Sequence, residues 1–295
     1  MKSFKAGYVA IVGQPNVGKS TLCNTLLQFR LSITTPKPQT TRHRILGILT
    51  KPGYQIIFQD TPGLMKPKYK LHDVMVRSAM NATRDADLVL FLVEVSKIPR
   101  ERDLEILESL KSITKPIILV INKADTIERV DLLPLIEKWH ALYEFRGIIP
   151  ISALTGENVD DLEKSIVSCL PEGTPFYPED QVTEHPERFF VSEIIREKIF
   201  QNYGDEIPYS TAVVIDEFVE KEGRKDVIKA RIIVERASQK GIIIGKGGAS
   251  LKKVGQDARI AIEEFLDRPV FLELWVAVRE KWRKKDSFLH EFGYD

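Results

Sequence analysis

The stretch "GQPNVGKS", residues 13–20, decides how the chain folds. It follows the apolar run "YVAIVG" (8–13) and opens a segment with helical spacing. A loop of this pattern between a strand and a helix grips phosphate. Its glycines let backbone amides curl around phosphate oxygens, and the helix N-terminus adds its dipole. Lys19 brings a positive charge to the outer phosphates, and Ser20 offers a hydroxyl to Mg2+.

Outward from this loop, short apolar runs alternate with helical patterns up to about residue 170. "QIIFQD" (55–60), "ADLVLFLVEV" (86–95), "PIILVIN" (116–122) and "GIIPIS" (147–152) read as strands apolar on both faces, hence covered by helices on both sides. "RILGILT" (44–50) alternates and suits an edge strand. Helices are predicted near 19–30, 71–84, 101–113, 131–145 and 158–170. The fold class is therefore α/β, a doubly wound and mostly parallel sheet. "PEGTPFYPEDQVTEHPER" (171–188), with its prolines and charges, reads as an extended linker. Beyond it a helix (189–202), strands near 210–220 and 227–236, helices flanking the 245–248 glycines and a strand at 270–278 form a smaller α+β domain. The expected domains are 1–172, a linker at 173–187, and 188–295 with a basic tail.

Length supports two domains: the chain has 295 residues. Its 43% hydrophobic and 29% charged residues suit a soluble globular protein, and a net charge of +1 restricts any nucleic-acid surface to a local patch. Cys23 and Cys169 have neither metal-ligand nor redox-motif spacing and read as buried thiols in a reducing compartment. No run is long enough to span a bilayer, and "MKSFKAGYVAIVGQPNVGKS" lacks a secretory apolar core, so a cytoplasmic location is expected.

Three further elements sit at strand ends of the first domain. In "DTPG" (60–63), Asp60 can hold Mg2+ through water, and Gly63 can offer its amide to a γ-phosphate. In "NKAD" (122–125), Asn122 and Lys123 frame a base site where Asp125 accepts hydrogen bonds from guanine. Adenine lacks those donors and would leave a buried carboxylate unpaired, which excludes an ATPase. "SAL" (Ser152, Ala153, Leu154) adds a backbone contact to the guanine oxygen. Gly13, Gln14, Pro15, Asn16, Val17, Gly18 and Thr21 complete the expected GTP-binding set. "TTPKPQTTRHR" (34–44) reads as a switch loop in which Thr41 joins Ser20 and Asp60 as a Mg2+ ligand, with Thr40 the alternative. Leu64 stands where many GTPases place a water-orienting glutamine, so slow hydrolysis is expected. Asn16 either shapes the loop or holds K+ as a hydrolysis activator, and Lys19, Thr41, Gly63 and Asn16 are the catalytic candidates. Arg42 is expected as a solvated switch residue rather than an arginine finger.

"GIIIGKGGAS" (241–250) imitates a second phosphate loop but fails its pattern: Lys240 replaces the first glycine and Gly247 the hydroxyl residue. What is left is the GxxG loop Gly245-Lys246-Gly247-Gly248, before a helix carrying apolar Leu251, Val254, Ala258, Ala261, Ile262 and Phe265. Helix–GxxG–helix is the pattern of a KH domain (type II), which clamps about four single-stranded nucleotides; without RNA it is a plain helix–helix turn. Residues 181–295 carry 20 Lys+Arg against 21 Asp+Glu, yet across 240–259 five basic residues face the single acid Asp257. "REKWRKK" (279–285) adds a second basic cluster, which a solvated face explains equally well. Lys246, Lys252, Lys253, Lys281 and Arg283 are the candidate RNA contacts. Trp282, Phe288 and Tyr294 are expected to pack the tail rather than stack on bases.

Together, "GQPNVGKS", "QTTRHR", "DTPGL", "NKAD", "SAL" and "GKGG" give a chain that resembles, over nearly its whole length, the Era family of bacterial GTPases that assist small-ribosomal-subunit assembly. The resemblance implies binding of GTP, GDP and Mg2+, slow hydrolysis, and recognition of single-stranded RNA at the 3′ end of small-subunit (16S) ribosomal RNA. It also implies coupling of nucleotide state to RNA binding, partnership with the small ribosomal subunit, and peripheral association with the inner face of the membrane. The chain is expected to act as a monomer. A GTP-regulated protein-interaction module without RNA binding is the alternative.

Overall fold

The computed structural model describes residues 3–294. It separates into two compact units, Met1–Pro67 with His72–Glu184, and Lys68–Leu71 with His185–Asp295.

The first unit holds one six-stranded sheet, order β2-β3-β1-β4-β5-β6. The strands are β1 (Lys5–Gly13), β2 (Ile45–Lys51), β3 (Tyr54–Asp60), β4 (Leu88–Glu94), β5 (Ile117–Asn122) and β6 (Gly147–Pro150). All neighbouring strands pair in parallel except β2, which lies antiparallel to β3 at the edge, as its alternating sequence predicts. Helices α1 (Lys19–Leu27), α2 (Lys70–Asp85), α3 (Glu101–Leu110), α4 (Arg129–Leu142) and α5 (Val159–Cys169) connect them. β5 is buried at every position and β4 at all but the last, which is why both read as unbroken apolar runs. α1 stops three residues earlier than its pattern suggests. Gln28 adopts a left-handed conformation there, and its amide returns to the Asn24 and Thr25 carbonyls.

The proline-rich segment from 171 to 184 is extended and tied to this unit. Ala6 N donates to Pro171 O, Gly173 N to Phe4 O, and Ile48 N to Val182 O at 2.8 Å. The last bond, with Thr183 Oγ1 on Leu46 O, covers the outer edge of β2. Gln55, fully buried, accepts from the amides of Phe176 and Tyr177 and donates to Tyr177 O.

The second unit is α6 (Glu187–Asn202), β7 (Ala212–Val219), β8 (Asp226–Val234), α7 (Ala237–Ile244), α8 (Ala249–Leu266), β9 (Val270–Val278) and α9 (Asp286–Glu291). β7 pairs antiparallel and β9 parallel with β8. The inward side chains Ile228, Ala230 and Ile232 meet Ile195 and Ile199 of α6 and Val254, Ala258 and Ile262 of α8 in one core. The α8 residues are those its apolar spacing selects. Trp282 is fully buried, donates from Nε1 to Ser210 O at 2.9 Å and stacks with Tyr294. The tail aromatics Trp282 and Tyr294 thus pack inward.

Candidate nucleotide site and nucleic-acid interface

Parallel strands deliver their C-terminal ends to one edge of the sheet, and the loops leaving β1, β3, β5 and β6 converge there. They enclose a cavity of about 400 Å³ lined by Pro15, Asn16, Gly18, Lys19, Ser20, Thr21, Gly63, Asn122, Lys123, Asp125, Ser152, Ala153 and Leu154. Ile33, Thr34, Thr35, Pro36, Gln39, Thr40, Thr41 and Thr126 complete the lining. Of the expected set, Gly13, Gln14, Val17 and Asp60 stand behind this wall. Gln14 Nε2 donates to Asp103 Oδ1 at 2.7 Å, and Asp103 is itself buried.

Asn122 ties three of the elements together. Its Nδ2 donates to Val17 O at 2.7 Å, and its Oδ1 accepts from Ala153 N at 2.9 Å. Gly18, at φ +98°, passes so close that a Cβ there would lie 2.2 Å from Asn122 Nδ2. A Cβ on Gly63 would lie 2.6 Å from Pro15 N, so "DTPG" and the phosphate loop touch backbone to backbone. Lys123 is held by Glu94 at 2.8 Å, and Arg100 bonds the same carboxylate at 2.7 Å. Asp125 is exposed in the cavity wall, in a short 3₁₀ turn.

At the other end, Ser20 Oγ lies 2.7 Å from Asp60 Oδ2 and 2.8 Å from Thr41 Oγ1. Thr40 points elsewhere: its hydroxyl donates to Lys37 O at 2.8 Å. Burial pushes the Asp60 carboxyl above the usual carboxylate range, against the nearby Ser32 and Ser20 hydroxyls and the Lys19 ammonium. Lys19, 5% exposed, is pushed down to about 8 by burial, opposed by Asp60. Its Nζ donates to Gln14 O at 2.8 Å and Gly13 O at 3.3 Å. Asp60 Oδ1 is buried and has no hydrogen-bond partner among the described residues. Two hydroxyls and one carboxylate with a spare oxygen suit Mg2+, which takes few protein ligands and fills its shell with water and phosphate oxygens.

Two loop residues differ from their sequence reading or extend it. Arg42, expected to be solvated, is 4% exposed and does not line the cavity; the pattern of a polar loop cannot distinguish its few buried members. Asn16 holds φ +66° and donates from Nδ2 to Pro36 O at 2.8 Å, joining the phosphate loop to the loop at 34–44. Leu64 is buried among apolar side chains, and its amide donates to Gly13 O.

In the second unit, Gly247 (φ +59°) and Gly248 (φ +81°) make the turn from α7 to α8, with Lys246 exposed on it. Beside it runs a groove of about 490 Å³ lined by Gly248, Leu251, Lys252, Gly255, Gln256, Arg259, Leu272 and Leu274. An apolar floor with cationic walls accepts flat bases below and phosphates at the rim. Lys253 is exposed on the same helix. Leu251, Gln256, Leu272 and Leu274 were not singled out for this role, because α8 and β9 meet only through tertiary packing. Lys281 and Arg283 do not reach this groove. They line a separate cleft with Glu235 and Arg236, where the Arg283 guanidinium pairs with Glu235.

Residues 8–123 match the family described as 50S ribosome-binding GTPase, and residues 206–283 match the KH domain family. The chain is 50% identical to the GTPase Era of Geobacter metallireducens over 99% of its own length and 98% of that protein's. It is 48% identical to the GTPase Era of Geotalea daltonii over 100% and 99%. Among solved structures, it is similar to Era in complex with MgGDPNP and nucleotides 1506–1542 of 16S ribosomal RNA. That match has 46% identity and a TM-score of 0.96, covering 99% of each chain. A variant of Aquifex aeolicus Era bound to GDP·AlF4− matches with 46% identity and a TM-score of 0.95, again over 99% of both chains. With phosphate loop, base site, KH-type unit and full-length similarity in agreement, the chain belongs to the GTPase Era family.

Proposed function

We propose that this GTPase binds GTP and Mg2+ in the first unit, hydrolyses GTP slowly, and holds the single-stranded 3′ end of 16S ribosomal RNA in the groove of the second. The observation that carries the reading is that Ser20 and Thr41 line a cavity whose wall also carries Asp125, while the Ser20 hydroxyl meets both Thr41 and, behind that wall, Asp60. Ser20, Thr41 and Asp60 would hold Mg2+, which when bound neutralises charge on the β- and γ-phosphates. Thr41 takes this role rather than Thr40, because Thr40 is committed to Lys37. Lys19 holds the outer phosphates, Gly63 offers an amide to the γ-phosphate, and Asp125 selects guanine. The phosphate loop from Gly13 to Thr21, together with Asn122, Lys123 and Ser152–Leu154, completes the nucleotide contacts.

On the RNA side, Gly245, Lys246, Gly247 and Gly248 clamp the backbone, Lys252 and Lys253 face phosphates, and the leucines of the groove support bases. Lys281 and Arg283 serve RNA only outside the groove. The relative solved with MgGDPNP and the 16S fragment supports carrying both ligands over to this chain. The same reading places the protein, as a monomer, on the small ribosomal subunit in the cytoplasm, with at most peripheral contact to the inner face of the membrane. No helix among the described residues is long and apolar enough to cross a bilayer.

Crosslinking this chain to RNA with GDP and with a non-hydrolysable GTP analogue tests the reading. Crosslinks at the 16S 3′ end whose yield depends on the nucleotide are expected. Their absence with both ligands would leave a GTP-regulated protein-interaction module. K+ activation through Asn16 is part of the proposal: turnover should be faster in K+ than in Na+ buffer, and equal rates would reduce Asn16 to shaping the loop.

A further inference from the structure

Hydrolysis of GTP needs a group that holds the attacking water in line. The side chain after "DTPG" cannot do so, because Leu64 is apolar and packed in the core. Gln39 stands in a suitable place. It lines the nucleotide cavity together with Lys19, Thr41 and Gly63. It holds φ +62°, a left-handed conformation that a side-chain-bearing residue adopts at a free-energy cost and that concentrates at functional sites. Its carboxamide is aimed by a partner: Oε1 lies 3.1 Å from Nε2 of His72 on α2, and His72 is 3% exposed. Because Oε1 can only accept, Nε2 of His72 carries the proton in this pair. Among the described residues no other partner takes the second Oε1 lone pair or the Nε2 hydrogens of Gln39, which leaves them for a water and a phosphate oxygen.

The loop around Gln39 is already drawn over the cavity. Thr41 meets Ser20 at 2.8 Å, Asn16 reaches Pro36 O at 2.8 Å, and Thr40 bonds Lys37 O at 2.8 Å. The backbone on both sides of Gln39 is therefore anchored, as a group that must meet a transition state requires.

We propose that Gln39 is a catalytic residue of GTP hydrolysis and that His72 is its positioning residue; this rests on the hydrolysis reading above. Gln39 Oε1 accepts a hydrogen bond from the water, and Nε2 donates to a γ-phosphoryl oxygen. The water oxygen forms the new bond to the γ-phosphorus as the bond from that phosphorus to the β–γ bridging oxygen breaks. GDP leaves with the electron pair, and the water proton passes to the released phosphate.

The test is single-turnover GTP hydrolysis by the full chain as purified, beside its affinities for GDP and for GDP·AlF4−. Gln39→Ala is expected to slow hydrolysis by about 10²-fold, the size of losing one transition-state donor. GDP affinity should stay within about twofold, while the extra affinity for GDP·AlF4− is lost. His72→Phe should give a smaller loss, and the double variant should be no slower than Gln39→Ala alone, since His72 acts through Gln39. Wild-type rates in Gln39→Ala, or a loss that follows GDP affinity, would overturn the assignment while leaving the hydrolysis reading intact. A wild-type chain that releases no phosphate would overturn both. Retained GDP affinity in each variant separates a chemical loss from a misfolded protein.

Discussion

Single side chains in the nucleotide site are held by close approach more than by charge. Gly18 shows this best, because its backbone conformation and its neighbour both exclude a Cβ. In Gly18→Ala, the new methyl would displace the Asn122 amide, which cannot retreat without breaking its bonds to Val17 O and Ala153 N. Left-handed strain of about 1–2 kcal/mol adds to those lost bonds. We expect GDP and GTP affinity to fall together, by at least about 10²-fold in titration with a fluorescent nucleotide, the equivalent of about 3 kcal/mol. A drop confined to GTP would instead place Gly18 in γ-phosphate sensing. The proposed reading gives that role to Thr41, Gly63 and Gln39 instead. That Asn122, Asp125 and Gly63 stand at the cavity could be read from their tetrapeptides, since each motif carries its own turn. The role of Gln39 could not, because it depends on a histidine 33 residues away in the chain.

At the scale of elements, the proline-rich segment behaves as a strap on an edge strand. Its backbone polar groups find partners on β1, β2 and the side chain of Gln55. Gln55→Leu keeps the volume but removes two accepted and two donated hydrogen bonds, three of them to the strap and one to Thr50, from a fully buried position. Each buried group left unpaired costs about 1–3 kcal/mol, though water can reach the strap once it lifts. We expect the chain's unfolding temperature to drop by several degrees and chymotrypsin-like or general proteases to cut between 171 and 184, for example after Phe176, before the rest. Unchanged cleavage there would mean that the edge bonds of Val182 and Thr183 hold the strap alone. The prolines announce an extended path but not its destination, since a proline-rich segment reads the same whether it is free or docked.

For the molecule as a whole, a net charge of +1 provides no long-range attraction to RNA. On the proposed reading, affinity rests on a few exposed cations on and beside the GxxG turn, Lys246, Lys252 and Lys253, while Arg259 in the groove wall is paired with Glu263. With about four phosphates neutralised, the logarithm of RNA affinity should fall with log salt at a slope near about −3. Lys246→Glu should weaken binding at every RNA sequence and make that slope shallower by about 1, as read by filter binding across a salt series. An unchanged slope would place the phosphate contacts elsewhere, for example in the cleft of Lys281 and Arg283. Much of this architecture is legible along the chain. Phosphate loops, guanine tetrapeptides and GxxG turns are built from neighbouring residues, and strand and helix periods follow from which faces are covered. Packing alone supplied the rest: Thr41 rather than Thr40 beside Ser20 and Asp60, the burial of Arg42, the aim of Gln39, and the apolar floor between α8 and β9. Those features join residues distant in sequence, and no local pattern records which of many similar polar or apolar side chains will meet once the core closes.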